Sequence, residues 1–544
     1  MSEPDEFDAV VVGSGAAGGW AAKELTEGGL RVLLLEAGRM VDPVADFPQP
    51  DVAGHQLVVG NPIVTRAKAA LIGGQPIQAR SIAFTKLTKN FFVSDRDNPY
   101  TTAKGKPFNW FRGRQVGGRL HTWGRIVFRM SDADFKAASR DGVGVDWPIS
   151  YDDLAPYYDT VETFLGVNGT AESLPGLPDG KYAKATTLNG PEQKFREEVR
   201  HEFPGSHVIP TRYVSNNLSR IPLTILAAQE TGRLTLRSDA VVERIEVDPN
   251  TKRAHEVHFI DQHSKRRESA RGKVVLLCAS AIESLRIMMN SASASHPAGL
   301  GNSSGLLGHN LMDHVHVVLS GPHEDVEAGG DGETDAFDFG KIGGFYVPQY
   351  QNPNPVGGAY LRGFAIQGGI GRGYPFWHLT AQGEMLPRFE NRVTLDPHKK
   401  DAWGIPAARI ELGYSENEDK LIADARDTMA KMAAVSGLEV QDTPAGRPIH
   451  NLVFKIMKKR LVMDSGAAIP GTAVHEIGGA PMGEDPANSV LNKFNQVWDA
   501  DNVFVTDGAS FVSSGAQNTT LTIMAMTVRT CEYVLREYRA GNWS

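Results

Sequence analysis

Apolar and polar positions repeat along this chain with two different periods, and together they predict an α/β protein. Phe7-Asp-Ala-Val-Val-Val12 is a short, nearly unbroken apolar run, the pattern of a parallel strand covered on both faces. Gly19-Trp-Ala-Ala-Lys-Glu-Leu25 has helical composition, and Gly28-Gly29 ends it. Leu30-Arg-Val-Leu-Leu-Leu35 is a second strand of the buried type, closing on Glu36. From about Asp42 to Trp110 the pattern is loop-rich and assigns no element. An amphipathic helix is predicted after Asp146-Trp-Pro148, with Ser150 and Asp153 as its N-cap pair and its end near Leu165-Gly166. Strands are predicted from Arg233 to Ser238, Val241 to Val247, Ala254 to Ile260 and Lys273 to Cys278, then a helix from Ala279 to Asn290. The region from about Val317 to His450 mixes Gly/Pro turns with alternating patches such as Arg409-Ile-Glu-Leu-Gly-Tyr414. It reads as a largely antiparallel sheet with helices, one of them from Asn417 to Val435. A strand at Val503-Phe-Val-Thr506 and a long helix from about Thr519 to Tyr538 close the chain.

With 544 residues the chain exceeds one ordinary core, so two or three lobes are expected. The 56 Lys+Arg against 64 Asp+Glu leave a net charge of -8, which excludes a nucleic-acid binder carried by bulk positive charge. A hydrophobic share of 41% with 22% charged residues excludes wholesale disorder. No stretch has the apolar length to span a bilayer, so no direct membrane insertion is expected. The acidic start, Met1-Ser-Glu-Pro-Asp-Glu-Phe-Asp8, lacks an apolar signal core, and a cytoplasmic location is expected from it. Two cysteines, Cys278 and Cys531, are too few for a disulfide framework or a thiolate metal site.

Chemistry enters at Gly13-Ser-Gly15-Ala-Ala-Gly18, between the first strand and the first helix. Gly13 allows the tight turn, Gly15 lets a pyrophosphate approach the backbone, and Gly18 lets helix and strand pack closely. Ala16 and Ala17 open the helix, whose N-terminus then faces the phosphate charge. Glu36 is placed to accept ribose hydroxyls, with Ala37, Gly38 and Arg39 following it in the same turn. A dinucleotide is thereby expected, either NAD or FAD. Gly369-Ile-Gly-Arg-Gly373 leads into Tyr374-Pro375 and opens no helix, so it reads as a turn and not as a second site.

Further motifs follow in order: Val116-Gly-Gly118, Asp146-Trp-Pro148 with Pro156-Tyr-Tyr158, Ala279-Ser-Ala-Ile-Glu-Ser284, and Gly308-His-Asn-Leu-Met-Asp-His314. Then come His475-Glu-Ile-Gly-Gly-Ala-Pro-Met-Gly483, Val503-Phe-Val-Thr-Asp-Gly508 and Asn518. With the N-terminal fingerprint, this set resembles the glucose-methanol-choline (GMC) family of FAD-dependent alcohol oxidoreductases. The resemblance implies a discontinuous Rossmann-like FAD-binding domain over 1–135, 230–316 and 455–544, and a substrate domain over 136–229 and 317–454. It implies FAD as cofactor, with a His from the C-terminal block taking the alcohol proton while the carbinol hydride passes to flavin N5. A second His or Asn follows forty-three positions later, and His475 and Asn518 fall on those positions. The His/Asn version resembles the bacterial sugar- and glycoside-oxidising branch, which includes pyranose oxidases and glycoside 3-dehydrogenases.

The chemistry agrees with the resemblance. Oxidising a secondary alcohol needs a proton acceptor near neutrality, and histidine supplies one. Asn518 cannot be a base, but its amide can hold the substrate oxygen. It stands at the start of the last predicted helix, with Thr519 next to it, where a helix N-terminus would stabilise negative charge on the reduced flavin. Around the paired glycines the resemblance implies flavin contacts from Arg114, Val116, Gly117, Gly118, His121, Thr122, Trp123 and Gly124. His121 sits one place before the residue that links covalently to flavin in some members, and Thr122 occupies that slot, so non-covalent FAD is expected. Val242 and Ala279 are further implied contacts, Val242 through its backbone to adenine. Asp507 and Gly508 match the turn at the ribityl and pyrophosphate. Asp313, His314 and His316 have metal-ligand spacing but match a family segment without metal, so a structural junction is expected and no metal site.

The leading expectation is oxidation of a sugar or glycoside ring hydroxyl, at C3, with O2 or a quinone or cytochrome partner as electron acceptor. A small signal-bearing partner subunit would allow periplasmic co-export. The alternatives are an oxidoreductase of simple alcohols, polyols or sterols, and a non-catalytic flavin electron-transfer subunit, which would have no use for His475. An NAD-dependent dehydrogenase, which would bind no flavin, also remains open at this point.

Overall fold

The computed structural model describes residues 6–47, 62–214, 221–326, 344–350, 358–372, 375–441 and 461–543. The domain boundary expected at 454/455 and the end of the Gly369–Gly373 stretch lie outside them.

The first strand, β1 (Glu6–Val12), leads through a turn into α1 (Ala16–Glu27) and back to β2 (Val32–Leu35). The two strands are parallel, with Val10 opposite Leu33 and Val12 opposite Leu35. Both faces of the pair are covered, which is why the strands read as apolar runs without alternation. Ala9, Val11, Val32 and Leu34 pack with α1 residues such as Leu25. Val10, Val12, Leu33 and Leu35 pack into the larger core on the opposite face. Gly29, with φ +100, makes the reversal after α1 that only a residue without Cβ adopts freely.

Helix α2 (Tyr151–Leu165) starts at the expected place: the Ser150 hydroxyl accepts from the Asp153 N–H and the Asp153 carboxylate accepts from the Ser150 N–H. It is followed by a two-residue strand, β3 (Ile209–Pro210), then by β4 (Leu234–Arg237), β5 (Ala240–Asp248), β6 (Arg253–Asp261), β7 (Arg267–Leu277) and helix α3 (Ala281–Asn290). Strands β4, β2, β1 and β7 lie side by side in parallel, while β7, β6 and β5 form an antiparallel meander.

The second sheet is built from β8 (Val315–Pro322), β9 (Phe345–Tyr350), β10 (Phe364–Ile370) and β11 (Phe376–Gly383), in the antiparallel order β8-β11-β10-β9-β3. Here the period of two is plain. Trp377, Leu379 and Ala381 face a core with Val315, Val317 and Ile366. Helix α4 (Glu416–Val435) covers that face with Leu421, Ile422, Ala425 and Met429. The residues between them, His378, Thr380 and Gln382 on β11 with His316 and Gln367 as cross-strand neighbours, belong to the opposite, polar face. Strand β10 includes Gly369 and Ile370, so the reversal expected over Gly369–Gly373 begins at Gly371, φ +62.

Strands β12 (Arg392–Lys400) and β13 (Pro406–Glu411) form a small sheet with Thr101–Thr102, a short strand in the loop-rich stretch before Trp110 and the one regular strand among the described residues there. Last come β14 (Val503–Val505), parallel to β7, and helix α5 (Thr520–Arg539), which packs beside α1 and α2. Among the described residues no helix is long and apolar enough to cross a membrane.

Candidate functional site

Of the five parallel strands that end at the same edge of the first sheet, four lead into turns that carry site residues. Gly13 follows β1 with φ +94, its N–H donating to the Leu35 carbonyl. Cys278 follows β7 and donates to the Val12 carbonyl; Thr506 follows β14 and donates to the Leu277 carbonyl. Glu36 follows β2 and is 5% exposed. Ligands of open parallel sheets bind at this carboxyl edge.

The edge fits a dinucleotide. A Cβ on Gly18 would stand 1.7 Å from the Gly13 carbonyl oxygen, so only glycine allows this closeness of turn and helix. A Cβ on Gly15 would meet nothing within 4 Å, and no side chain caps α1 there. The first-turn N–H groups of Ala16, Ala17 and Gly18 thus form an uncapped, partly positive helix end beside open space. Glu36 accepts from the Ser14 N–H (3.0 Å), the Ser14 hydroxyl and the Gly38 N–H (2.8 Å). Three of its four lone-pair positions are taken, which leaves one for a ribose hydroxyl. Burial raises its pKa, partly offset by Ser14.

The paired glycines close this edge from the side. The Gly117 N–H donates to Ser14 Oγ at 3.0 Å, and Val116 N–H to the Arg39 carbonyl at 3.0 Å. Arg114 donates to Glu283 at 3.0 Å and lies over Trp403, with its Nη1 buried and unpartnered among the described residues. Arg39 is engaged with Asp46, and Gly38 stands where a Cβ would meet the Arg114 carbonyl at 1.9 Å. His121 turns its Nε2 to the Val116 carbonyl at 2.7 Å and stacks on Phe91, 5.1 Å between centroids. Thr122 lies in the same short helical turn, Trp123 packs partly buried on the main core, and Gly124 is exposed. Ala37, like Trp403, packs against the cluster of Val241, Ile260 and Ile405. Val242 sits where the β5–β6 ladder slips by one residue, and the Ala279 N–H donates to Ser284 Oγ. Ser284 in turn donates to Asp507, whose carboxylate burial raises to about 6, and Gly508 begins the short turn behind it.

His475 and Asn518 come together, Nε2 to Nδ2, at 3.4 Å. Val474, just before the histidine, has φ +57, a strained value for a β-branched residue that sets the direction in which His475 leaves the loop. The Asn518 Oδ1 accepts from Gln367 Nε2 at 2.8 Å. Asn518 does not itself begin the helix: Thr519 is the N-cap and α5 starts at Thr520, two residues beyond the asparagine. Gln382 donates to the Ala516 carbonyl at 3.0 Å and its Oε1 lies 3.3 Å from His316 Nε2. The polar face of the second sheet therefore borders the His475–Asn518 pair.

Asp313, His314 and His316, which share a metal-like spacing, are hydrogen-bond partners in this site. The Asp313 carboxylate accepts from the N–H groups of Gly471 (2.6 Å) and His475 (3.2 Å). His314 Nδ1 lies 3.0 Å from His475 Nδ1, and His314 Nε2 is 2.8 Å from the Gly515 carbonyl oxygen. Sequence reasoning took the segment for a structural junction and missed this direct contact. It named neither Gln367 nor Gln382, although the alternation Trp377-His-Leu-Thr-Ala-Gln382 marks one polar face.

Burial holds the His475 imidazole well below the ordinary histidine range, and His314, His316 and Arg119 lower it further. Asp313, which accepts from the His475 backbone N–H, is raised to about 7, chiefly by burial and next by Glu476. A base works in its neutral form, so activity is lost as pH falls through its pKa, and a lowered pKa moves that loss to lower pH. The acid limb of kcat/KM is expected below the ordinary value of about 6.5. A limb at or above that value in the pH–rate profile would contradict the burial reading.

Two GMC oxidoreductase family models match the chain, over residues 7–316 and 387–527. It is 28% identical to the 2-methyl-1,2-propanediol dehydrogenase of Mycolicibacterium austroafricanum, over 98% of this chain and 96% of that one. It is 26% identical to the fructose dehydrogenase large subunit of Gluconobacter japonicus, over 98% of each. Among solved structures, the pyridoxine 4-oxidase from Mesorbium loti shares the fold with a TM-score of 0.61 at 18% identity, over 98% of this chain and 99% of that one. With the strand-end cradle, the His475–Asn518 pair and both family matches in place, the chain belongs to the GMC oxidoreductases, FAD-binding enzymes that oxidise alcohol and sugar hydroxyls.

Proposed function

We propose that this enzyme oxidises a secondary hydroxyl of a sugar or glycoside, at pyranose C3, to the ketone. Bound FAD supplies the hydride acceptor. His475 Nε2 takes the hydroxyl proton, and the Asn518 amide holds the substrate oxygen in line with it. The observation that carries the sugar reading is the row of amide and imidazole groups, Gln367, Gln382 and His316, bordering the pair. A polyhydroxylated ring needs such a row, because each hydroxyl taken from water must find a new partner.

The FAD is held without a covalent bond. Gly13, Gly15, Ala16, Ala17 and Gly18 would face its pyrophosphate, Glu36 its ribose, and the free Arg114 Nη1 a further polar group. His121, committed to Val116 and stacked on Phe91, is not offered as a link. Electrons leave to O2 or to a quinone or cytochrome partner. The relative named as a large subunit favours a small partner subunit here too. Oxidation of a small diol is the second reading, favoured by the likeness to the propanediol dehydrogenase.

The test is kcat/KM across D-glucose, 3-deoxyglucose, methyl glucoside and 2-methyl-1,2-propanediol. Turnover of the hexose and the glucoside with none of the 3-deoxy sugar is the expected result. Turnover of the diol with all sugars inert overturns the sugar assignment and leaves the enzyme class untouched.

A further inference from the structure

We infer that His314 is a positioning residue that dictates which nitrogen of His475 is bare, through the 3.0 Å contact between their Nδ1 atoms. The inference rests on the reading of His475 as the base.

A backbone carbonyl can only accept. His314 Nε2, 2.8 Å from the Gly515 carbonyl oxygen, therefore carries a proton and donates it. A neutral imidazole has one N–H, so His314 Nδ1 is a lone pair and His475 Nδ1 must be the donor across 3.0 Å. The neutral His475 ring then keeps its own lone pair on Nε2, the nitrogen that faces Asn518. His314 is 1% exposed, and burial presses its pKa down to about 3, so it stays neutral while the enzyme works.

The same contact serves after proton transfer. When Nε2 gains the substrate proton, the Nδ1–H remains donated to His314, and no ring rotation is needed. The backbone keeps the two rings in register: Met312 and Ile477 exchange N–H···O bonds at 2.8 and 3.0 Å, and Asp313 accepts from the His475 N–H. The rings meet at 90° with centroids 5.0 Å apart. Freed of His314, the His475 ring would lose both its Nδ1–H tautomer and the contact that fixes its orientation, and a ring protonated on Nε2 or turned away from Asn518 could not act as a base.

The test is steady-state kcat and KM of FAD-loaded wild type, H314L, H475A, their double variant and H314N. The substrate is whichever alcohol of the panel above the wild type turns over fastest. H314L is expected to lower kcat by about 10–100-fold, part of the full contribution of a general base, with KM little changed and flavin absorbance retained. In the H475A background the same change is expected to cost nothing more, because its effect passes through His475. H314N, whose Oδ1 can accept near the position of Nδ1, is expected to recover most of the loss. An equal loss from H314L in both backgrounds overturns the inference, since a structural role would act in both. Should H314L lose its flavin, H314N decides alone: kcat within about tenfold of wild type supports the inference, and kcat as low as that of H475A overturns it. Undiminished kcat in H475A removes the base assignment, and this inference with it.

Discussion

Alanine at His475 is expected to lower kcat by about 10²–10⁴-fold, the range a positioned general base contributes. The substituted side chain lies between Asn518 and His314, and among the described residues it makes no hydrogen bond to the glycine turn or to Glu36. FAD should therefore remain bound, and the visible spectrum of the variant should match that of wild type. The lost imidazole leaves His314 Nδ1 buried without its donor, which costs about 1–3 kcal/mol of stability. A modest drop in thermal stability with a large drop in kcat is thus the expected signature. A variant that keeps its flavin and most of its kcat would show that the proton goes elsewhere.

Gly18→Ala is expected to have the second large effect, by a different route. Its Cβ would be placed 1.7 Å from the Gly13 carbonyl oxygen and 2.8 Å from the carbon, where backbone must shift. Overpacking of this kind costs about 1–3 kcal/mol even when side chains can yield, and here the obstacle is main chain. Moving the turn also moves the first N–H groups of α1. The protein is expected to purify without a flavin band and to be inactive until FAD is supplied in excess. Gly15→Ala is the contrast: nothing lies within 4 Å of its Cβ position, so the fold should persist while FAD affinity falls. Absorbance per mole of protein after desalting separates the two. Equal flavin content in wild type and Gly18→Ala would contradict the close-approach argument.

The two halves of the site differ in how much of them could be read from residue order. The β1-α1-β2 unit was legible because each of its requirements is local: apolar strands, glycines at fixed offsets, an acid at the second strand end. The Ser150–Asp153 cap of α2 and the limits of α4 were legible for the same reason. His475 and Asn518 were legible through the block that contains them, and the fold then brought them within 3.4 Å. The substrate side was not. Gln367 and Gln382 lie on alternating strands whose polar face has meaning only once α4 is known to cover the other. Nor could residue order reveal His314. Its spacing from Asp313 and His316 suggested ligands, whereas its role depends on a carbonyl at Gly515 that arrives from two hundred residues away.

The most direct measurement is the rate at which the visible flavin band bleaches when substrate is mixed with the enzyme without oxygen, for wild type and His475→Ala together. The expected result is a band in both proteins that disappears within one turnover time in wild type and at least about a hundredfold more slowly in the variant. Equal bleaching in the two would contradict His475 as the base, and a wild-type protein without any flavin band, even after FAD is added back, would contradict the cradle at the strand ends.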